Sequence, residues 1–400
     1  MTLLLLVYRS LRQHALSTLV TAGSIALATG LLMAVWMVKA QAQQAFTQTT
    51  TSFDAVLGAR GSKLQLVLNA LFHLEASPGN LAWTDYEQVA RHPAVKTAIP
   101  LAVGDNFQGW RIVGTLPELF TTVEFAAGKK YALAGGRYFA GEAREAVVGS
   151  FAAEKLGWKV GDAFRPYHGL AFDPAHQHEE TYMITGVLAP TNTPADKVIW
   201  ISLKGVQTMS GHDPRAATDV SAVLLQFRSP TAGFMLDMMY NKQGTRLTLA
   251  YPASLIIADL FNKIGWFDRV LALVAYLVAL VAAGSVLTGI YASMSARQRD
   301  IAILRALGAR RRTVFGAVVA EATMIGALGS LAGFAVYFGL LVLVAEVIRA
   351  QTGVVLTITA WHAVLWISPL VMTLLAGLGG VVPAIKAYRL PVAETLAPLS

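Results

Sequence analysis

Ser295-Ala-Arg-Gln-Arg-Asp-Ile-Ala-Ile-Leu-Arg-Ala-Leu-Gly-Ala-Arg-Arg-Arg312 carries six arginines (Arg297, Arg299, Arg305, Arg310, Arg311, Arg312) against a single acid, Asp300, and lies between two long apolar runs. At helical spacing Ile301, Ile303, Leu304 and Leu307 form one apolar stripe. Gly308 follows where a helix end wants a residue with positive φ. Two readings of the stretch stand. It is a stop-transfer signal on a cytoplasmic loop, or a short amphipathic helix, tied to a span at each end, that a partner can push. Both place it in the cytoplasm.

The chain is 55% hydrophobic and 14% charged over 400 residues, too apolar for an ordinary soluble protein. The excess collects in four runs at 17–39, 270–293, 314–345 and 363–385, each long enough for the roughly 20 residues that a helical span needs. Residues 40–269 have globular composition and are expected to form an α+β domain. The chain thus divides into a cytoplasmic amphipathic start (1–16), the first span, the outer domain with helical stalks, the second span, a cytoplasmic loop (294–313), the third span, a short outer loop (346–362), the fourth span and a cytoplasmic tail (386–400). The orientation follows from charge. Arg9 and Arg12, the central arginines, and Lys386 and Arg389 flank the spans on one side, so both termini and the central loop are expected inside. The net charge of +8 is then topological, and nucleic-acid binding is a poor account of it. The chain has no cysteine, so disulfides are excluded. Ala40-Gln41-Ala42 resembles a cleavage site, but the run before it exceeds the 7–15 residues of a cleaved signal, and an uncleaved anchor is expected.

In the outer domain, Gly58-Ala59-Arg60-Gly61-Ser62-Lys63 lacks the spacing of a phosphate loop and reads as a turn into a helix over 64–73. No Walker motif occurs in the sequence, so any ATP that drives the protein is bound by another subunit. Strands are expected at 110–115, 146–150, 182–188, 198–203 and 222–227, and helices at 150–156, 231–240 and 253–261, the last running into the second span. Thr84 and Glu87 read as a capping box. Two lobes are expected, the middle one inserted. His168, Asp173, His176, His178, Glu179 and Glu180 fall within thirteen residues. On an extended segment His176 and His178 would point to one side, so His168, His176 and His178 are candidate ligands for Zn²⁺ or Cu²⁺. The alternative is a polar surface loop. No catalytic motif is found, and no catalytic residue is expected.

The third span carries Gly326, Gly329, Gly333 and Gly339, with a small-xxx-small pair at Gly329 and Gly333, and the fourth carries Gly377, Gly379 and Gly380. Such residues let helix backbones approach, either among these spans or across a dimer. Glu321 lies about two turns into the third span. Its expected role is an interfacial carboxylate paired with an arginine of the central loop. None of the spans shows the polar stripe of an aqueous pore.

The run Arg299-Asp300-Ile301-Ala302-Ile303-Leu304-Arg305-Ala306-Leu307-Gly308-Ala309, then Glu321 and the glycines to Gly333, resembles the core of the FtsX/MacB permease family. Pro383-Ala384-Ile385-Lys386-Ala387-Tyr388-Arg389-Leu390-Pro391-Val392-Ala393-Glu394-Thr395-Leu396 is similar to that family's closing segment, and Tyr8-Arg9-Ser10-Leu11-Arg12 fits its opening. Asp300 stands where the family usually has glutamate. The resemblance implies the permease subunit of a type VII ABC transporter of the bacterial inner membrane, with four transmembrane helices and a MacB-like periplasmic α+β core between the first two. It implies a dimer of permeases bound to an ABC ATPase subunit, a possible periplasmic adaptor or substrate-binding protein, and no directly bound cofactor, ATP and Mg²⁺ sitting on the ATPase. Arg299, Asp300, Ile301, Leu304, Arg305, Leu307 and Gly308 would form the ATPase coupling site, and Leu304→Asp is expected to uncouple it. The substrate class would be a lipoprotein, peptide or drug. An FtsX-like switch that activates a cell-wall hydrolase, or a metal-linked transport system, are the alternatives.

Overall fold

The structure is a computed structural model and describes residues 3–50, 52–126, 128–210, 218–296, 298–352, 355 and 361–389. The chain separates into two compact units. One comprises residues 1–41, 265–346 and 357–400, the other residues 42–264 and 347–356.

Among the described residues four helical segments are long and apolar enough to cross a membrane: Ala15–Gln41, Arg269–Ala292, Arg311–Gln351, whose last residues fall in the second unit, and Val364–Arg389. Three belong to helices that run on unbroken, Ala15–Thr50, Ala253–Ala296 and Arg311–Thr352. The helix beginning at Ala253 therefore continues through the second span, as its sequence suggests. The third helix extends through residues 346–352, where a loop is expected from sequence. The fourth span is two helices, Val364–Gly379 and Val381–Arg389, with a break at Gly380. A side chain at Gly380 would run into Ala322 of the third span. The close approach that glycine permits also weakens the helix there.

Gly326, Gly329 and Gly333 of the third span are spent inside the chain. A Cβ at Gly329 would stand 2.8 Å from the Ala22 carbonyl oxygen and 2.8 Å from Ile25 Cβ; one at Gly333 would stand 2.8 Å from Thr29 Cβ. Both face the first span, where Gly30 answers with a Cβ position 2.6 Å from Val336 Cβ. Gly326 faces Thr373 and Ala376 of the fourth span, while Gly339 has open space around it. In lipid, where apolar burial gives no drive to associate, such close backbone contact supplies the packing. Glu321, 9% exposed, accepts a hydrogen bond from Ser10 of the first helix, Leu3–Gln13.

The second unit is built on an eleven-stranded sheet with a separate two-stranded ribbon. In chain order the strands are β1 Ala55–Ala59, β2 Val95–Phe107, β3 Trp110–Thr115, β4 Glu124–Ala126, β5 Lys129–Lys130, β6 Leu133–Gly136, β7 Glu145–Val148, β8 Ala163–Phe164, β9 Tyr167–His168, β10 Tyr182–Leu188, β11 Ile199–Ser202, β12 Ala222–Phe227 and β13 Leu247–Ala250. The main order is β13-β1-β12-β2-β3-β11-β7-β10-β6, with β8 on β10, β9 on β2, and β4 paired with β5 apart from the sheet. Two lobes are expected from sequence. Here β2 joins the halves into one sheet, pairing with β12 through Val95–Leu101 and with β3 from Ala102 onward.

Successive strand residues point to opposite faces, and in this sheet both faces are covered. Ala55, Leu57, Ile112, Ala146, Val148, Ile199, Ile201, Val223 and Leu225 line one core with helices Trp83–Ala90, Ser150–Leu156, Leu203–Gln207 and Pro230–Asp237. Val56, Val113, Val147, Trp200, Ala222 and Leu224 line the other with Lys63–Ala70, Glu118–Thr121 and the start of Ala253–Ala296. Burial on both faces explains why these strands read as continuous apolar runs. The expected capping box shifts by two residues. Asp85, not Glu87, reaches back to the helix start, accepting from the Ala82 N–H at 3.2 Å.

His73 is buried against Trp200, ring edge to face at 5.3 Å. Burial lowers its pKa from 6.5 to about 3, with the Arg111 charge adding to the effect. The ring therefore stays neutral in the folded domain while the unfolded chain takes up a proton below pH 6.5. Stability should fall as pH drops from 6.5 towards 3, by about 1.4 kcal/mol per pH unit for this group. Urea titrations of wild type and His73→Phe over that range should show the slope reduced by one proton in the variant. An unchanged slope would contradict the assignment.

Candidate functional site

The central basic segment forms the helix Gln298–Ala306, closed by the Leu307 N–H donating to Ile303 O at 2.9 Å and by Gly308 at φ +97. Its two sides have different fates. Ile301 (8% exposed) and Ala302 (1%) are buried, Ile301 in a cluster with Ile290, Val314, Val318, Ala384 and Ala387. Ile303 and Leu307 are exposed, Leu307 at 79%, as is Arg299 one turn before Ile303, and Arg310 is exposed beyond the helix end. The single stripe read from the sequence is thus split. Ile301 anchors the helix to its own chain, while Ile303 and Leu307, one turn apart, remain exposed. Arg305 is half-buried. The side chains of Asp300 and Leu304, and Arg297 as a whole, lie outside the described residues.

Cations gather at the helix ends around this segment. Arg311 lies over the Tyr388 ring at 5.7 Å, and Lys386 lies over Tyr291 at 4.1 Å while also donating to its hydroxyl. Tyr388 and Lys386 belong to the closing segment, whose remainder from Leu390 is outside the described residues.

In the second unit, the last turns of the helix Arg311–Thr352 are held by residues of the α+β domain. Arg349 pairs with Glu154 at 2.6 Å and places its guanidinium over Phe151 at 4.6 Å. Lys197 donates to the carbonyls of Ala350 and Gln351 at 2.7 and 2.8 Å, where the negative end of a helix favours a cation. Burial lowers the Lys197 pKa. Nothing in the sequence marks these pairs, because their members are some 150–200 positions apart.

The expected histidine cluster is partly brought together. His168 and His178 converge, but their third partner is Asp105 of β2, not His176. A bulge at Gly104 separates the β2–β3 pairs Val103–Val113 and Asp105–Ile112, and Asp105 stands directly opposite His168 of β9. His176 is turned out. Its N–H donates to Asp173 O at 3.3 Å, bending the chain there, and its Nδ1 sits 2.8 Å from Asp173 Oδ2. That bend breaks the extended geometry that would have put His176 and His178 on one side. Asp173, with backbone Ala175 and then His176 bonded to it, is held below the usual carboxylate range. No local spacing in the sequence marks Asp105, because it lies 63 positions from His168.

Residues 15–232 match the MacB-like periplasmic core domain family, and residues 272–392 match the FtsX-like permease C-terminal family. The chain belongs to the FtsX/MacB-type ABC transporter permease family. Within it, the macrolide export ATP-binding/permease protein MacB of Hyphomonas neptunium is 32% identical over 142 residues, 36% of this chain. The match spans 21% of that relative's length. Among solved structures, the extracellular domain of the noncanonic ABC-type transporter YknZ from Gram-positive bacteria is 16% identical with a TM-score of 0.31, the alignment covering 49% of this chain and 98% of that one. The periplasmic region of MacB from Actinobacillus actinomycetemcomitans is 9% identical with a TM-score of 0.35, covering 53% and 95%.

Proposed function

We propose that this permease couples ATP hydrolysis on a separate ATPase subunit to movement of its α+β domain, driving export or extraction of a periplasmic or membrane substrate of the lipoprotein, peptide or drug class. The observation that carries the reading is the divided helix Gln298–Ala306. Ile301 and Ala302 fix one side in the chain's own core, and Ile303, Leu307, Arg299 and Arg310 are exposed. An element anchored on one side and apolar with a basic rim on the other is suited to a groove on a partner. Force applied there would be passed on by the unbroken helices Ala15–Thr50, Ala253–Ala296 and Arg311–Thr352. The clamp of Arg349 and Lys197 on the last turns of the third helix supports its use as a lever on the α+β domain.

On this reading both termini and the segment 294–313 face the cytoplasm of a bacterial inner membrane, the chain works as a dimer of permeases, and ATP and Mg²⁺ sit on the partner. Purification of the tagged full chain from its native membrane in mild detergent, with mass spectrometry of what is retained, tests it. An ATPase bearing Walker motifs should come down in a fixed ratio to the permease. A folded preparation that retains no ATPase would remove the reading. A cell-wall hydrolase retained beside the ATPase, with no cargo, would replace transport by the regulatory switch.

A further inference from the structure

Asp105, His168 and His178 each offer one ligand atom, and these atoms all lie within 4.8 Å of one another. His178 Nε2 is 3.1 Å from Asp105 Oδ1, and His168 Nδ1 is 3.5 Å from the same oxygen. Metal–ligand bonds of about 2.0–2.1 Å in a tetrahedral site put neighbouring donors about 3.3 Å apart, so both separations are already those of coordination edges. The rings of His168 and His178 meet edge to face with centroids 5.5 Å apart.

The orientation of His178 sharpens the point. Its Nδ1 lies 2.7 Å from the Ser210 carbonyl oxygen, which can only accept. Nδ1 therefore carries a hydrogen, and in the neutral ring Nε2 presents its lone pair to the Asp105 carboxylate. Two electron-rich atoms at 3.1 Å require a positive centre between them. A backbone carbonyl that fixes the tautomer while the other nitrogen faces a carboxylate is the outer arrangement of a metal-bound histidine. Asp105 and His178 are nearly sealed, with side-chain exposures of 1% and 4%, whereas His168 is 52% exposed.

We infer that the α+β domain binds one divalent transition-metal ion, of which Zn²⁺ is the probe, and that Asp105 Oδ1, His178 Nε2 and His168 Nδ1 are its ligands among the described residues. Two ligands are pre-set in the domain, and His168 closes the site from the solvent side. The ion would pin the hairpin 166–178 to β2, since His168 is the hairpin's contribution to a strand pair with Asp105. Two imidazoles and one carboxylate suit zinc or a later first-row metal, and not the oxygen-only preference of Mg²⁺ or Ca²⁺. This site is independent of the coupling segment and would stand if the ATPase reading failed.

The test is calorimetric titration of Zn²⁺ into the full-length permease in detergent, after chelator treatment, with Co²⁺ absorption spectra as a second readout. Wild type should bind one ion per chain, give the visible bands of four-coordinate cobalt, and melt at a higher temperature with metal. His168→Ala, a change at a half-exposed side chain, should weaken binding by at least about tenfold without shifting the metal-free melting midpoint. His176→Ala should bind as wild type does. Absence of one-to-one binding would show that a proton on His178, not a metal, bridges it to Asp105, and would overturn the inference. Unchanged binding in His168→Ala, or loss in His176→Ala, would overturn it equally by placing any metal on the outer loop.

Discussion

Leu307→Asp should abolish association with the ATPase while leaving the permease folded. The side chain is 79% exposed, so in the free chain the substitution exchanges one solvated group for another. In a partner's groove the same change forfeits the burial of a leucine, about 2–3 kcal/mol, and adds the desolvation of a carboxylate. At about 1.4 kcal/mol per tenfold, the loss exceeds about a hundredfold in affinity. Ile301→Asp supplies the contrast. Its side chain is packed with Val314, Val318 and Ala384, so a charge there should lower the stability of the permease itself. Binding of the purified ATPase to each variant in nanodiscs, beside thermal melting of the permease alone, separates the two effects. If Leu307→Asp binds the ATPase as wild type does, the outward side of this helix is not the coupling surface.

Gly329→Val should strongly destabilise the membrane unit. Its Cβ would meet the Ala22 carbonyl oxygen and Ile25 Cβ, both at 2.8 Å, and the oxygen belongs to a helix backbone that cannot swing aside. The first and third spans would have to separate, at a cost of about 1–3 kcal/mol for overpacking and more if the contact along Gly30 and Gly333 opens with it. A melting midpoint in detergent lowered by several degrees is expected for Gly329→Val. Gly339→Val, introduced where nothing lies within 4 Å, should leave the midpoint unchanged. Equal midpoints in the two variants would mean that this packing does not hold the spans together.

Several parts of the molecule are legible in the order of residues. The four apolar runs, the arginine-rich segment and its Gly308 ending need only local composition and spacing, and the structure has long helices on the first three runs, two helices on the fourth, and a short one in the arginine-rich segment ending at a positive φ. Trp110–Thr115, Tyr182–Leu188 and Ala222–Phe227 read as strands because burial on both faces demands unbroken Val, Ile, Leu and aromatic residues. β1 and β2 do not read so. Gly58 in β1 and Pro100 and Gly104 in β2 are turn signals by their local chemistry, and only pairing with neighbours on both sides holds them extended.

What the sequence by itself determined is therefore the membrane character, the family and the place of the basic helix, all of which rest on residues close together in the chain. The tertiary structure alone decided which side of that helix is spent, because Ile301 and Leu307 are equally apolar and differ only in what packs against them. It likewise decided that Gly329 and Gly333 serve packing within the chain, and that Asp105, not His176, joins His168 and His178. Each of these depends on contacts between distant segments: a bulge that re-aims Asp105, a bend that turns His176 away, a first span laid against the third. Residue type and local spacing do not encode such contacts.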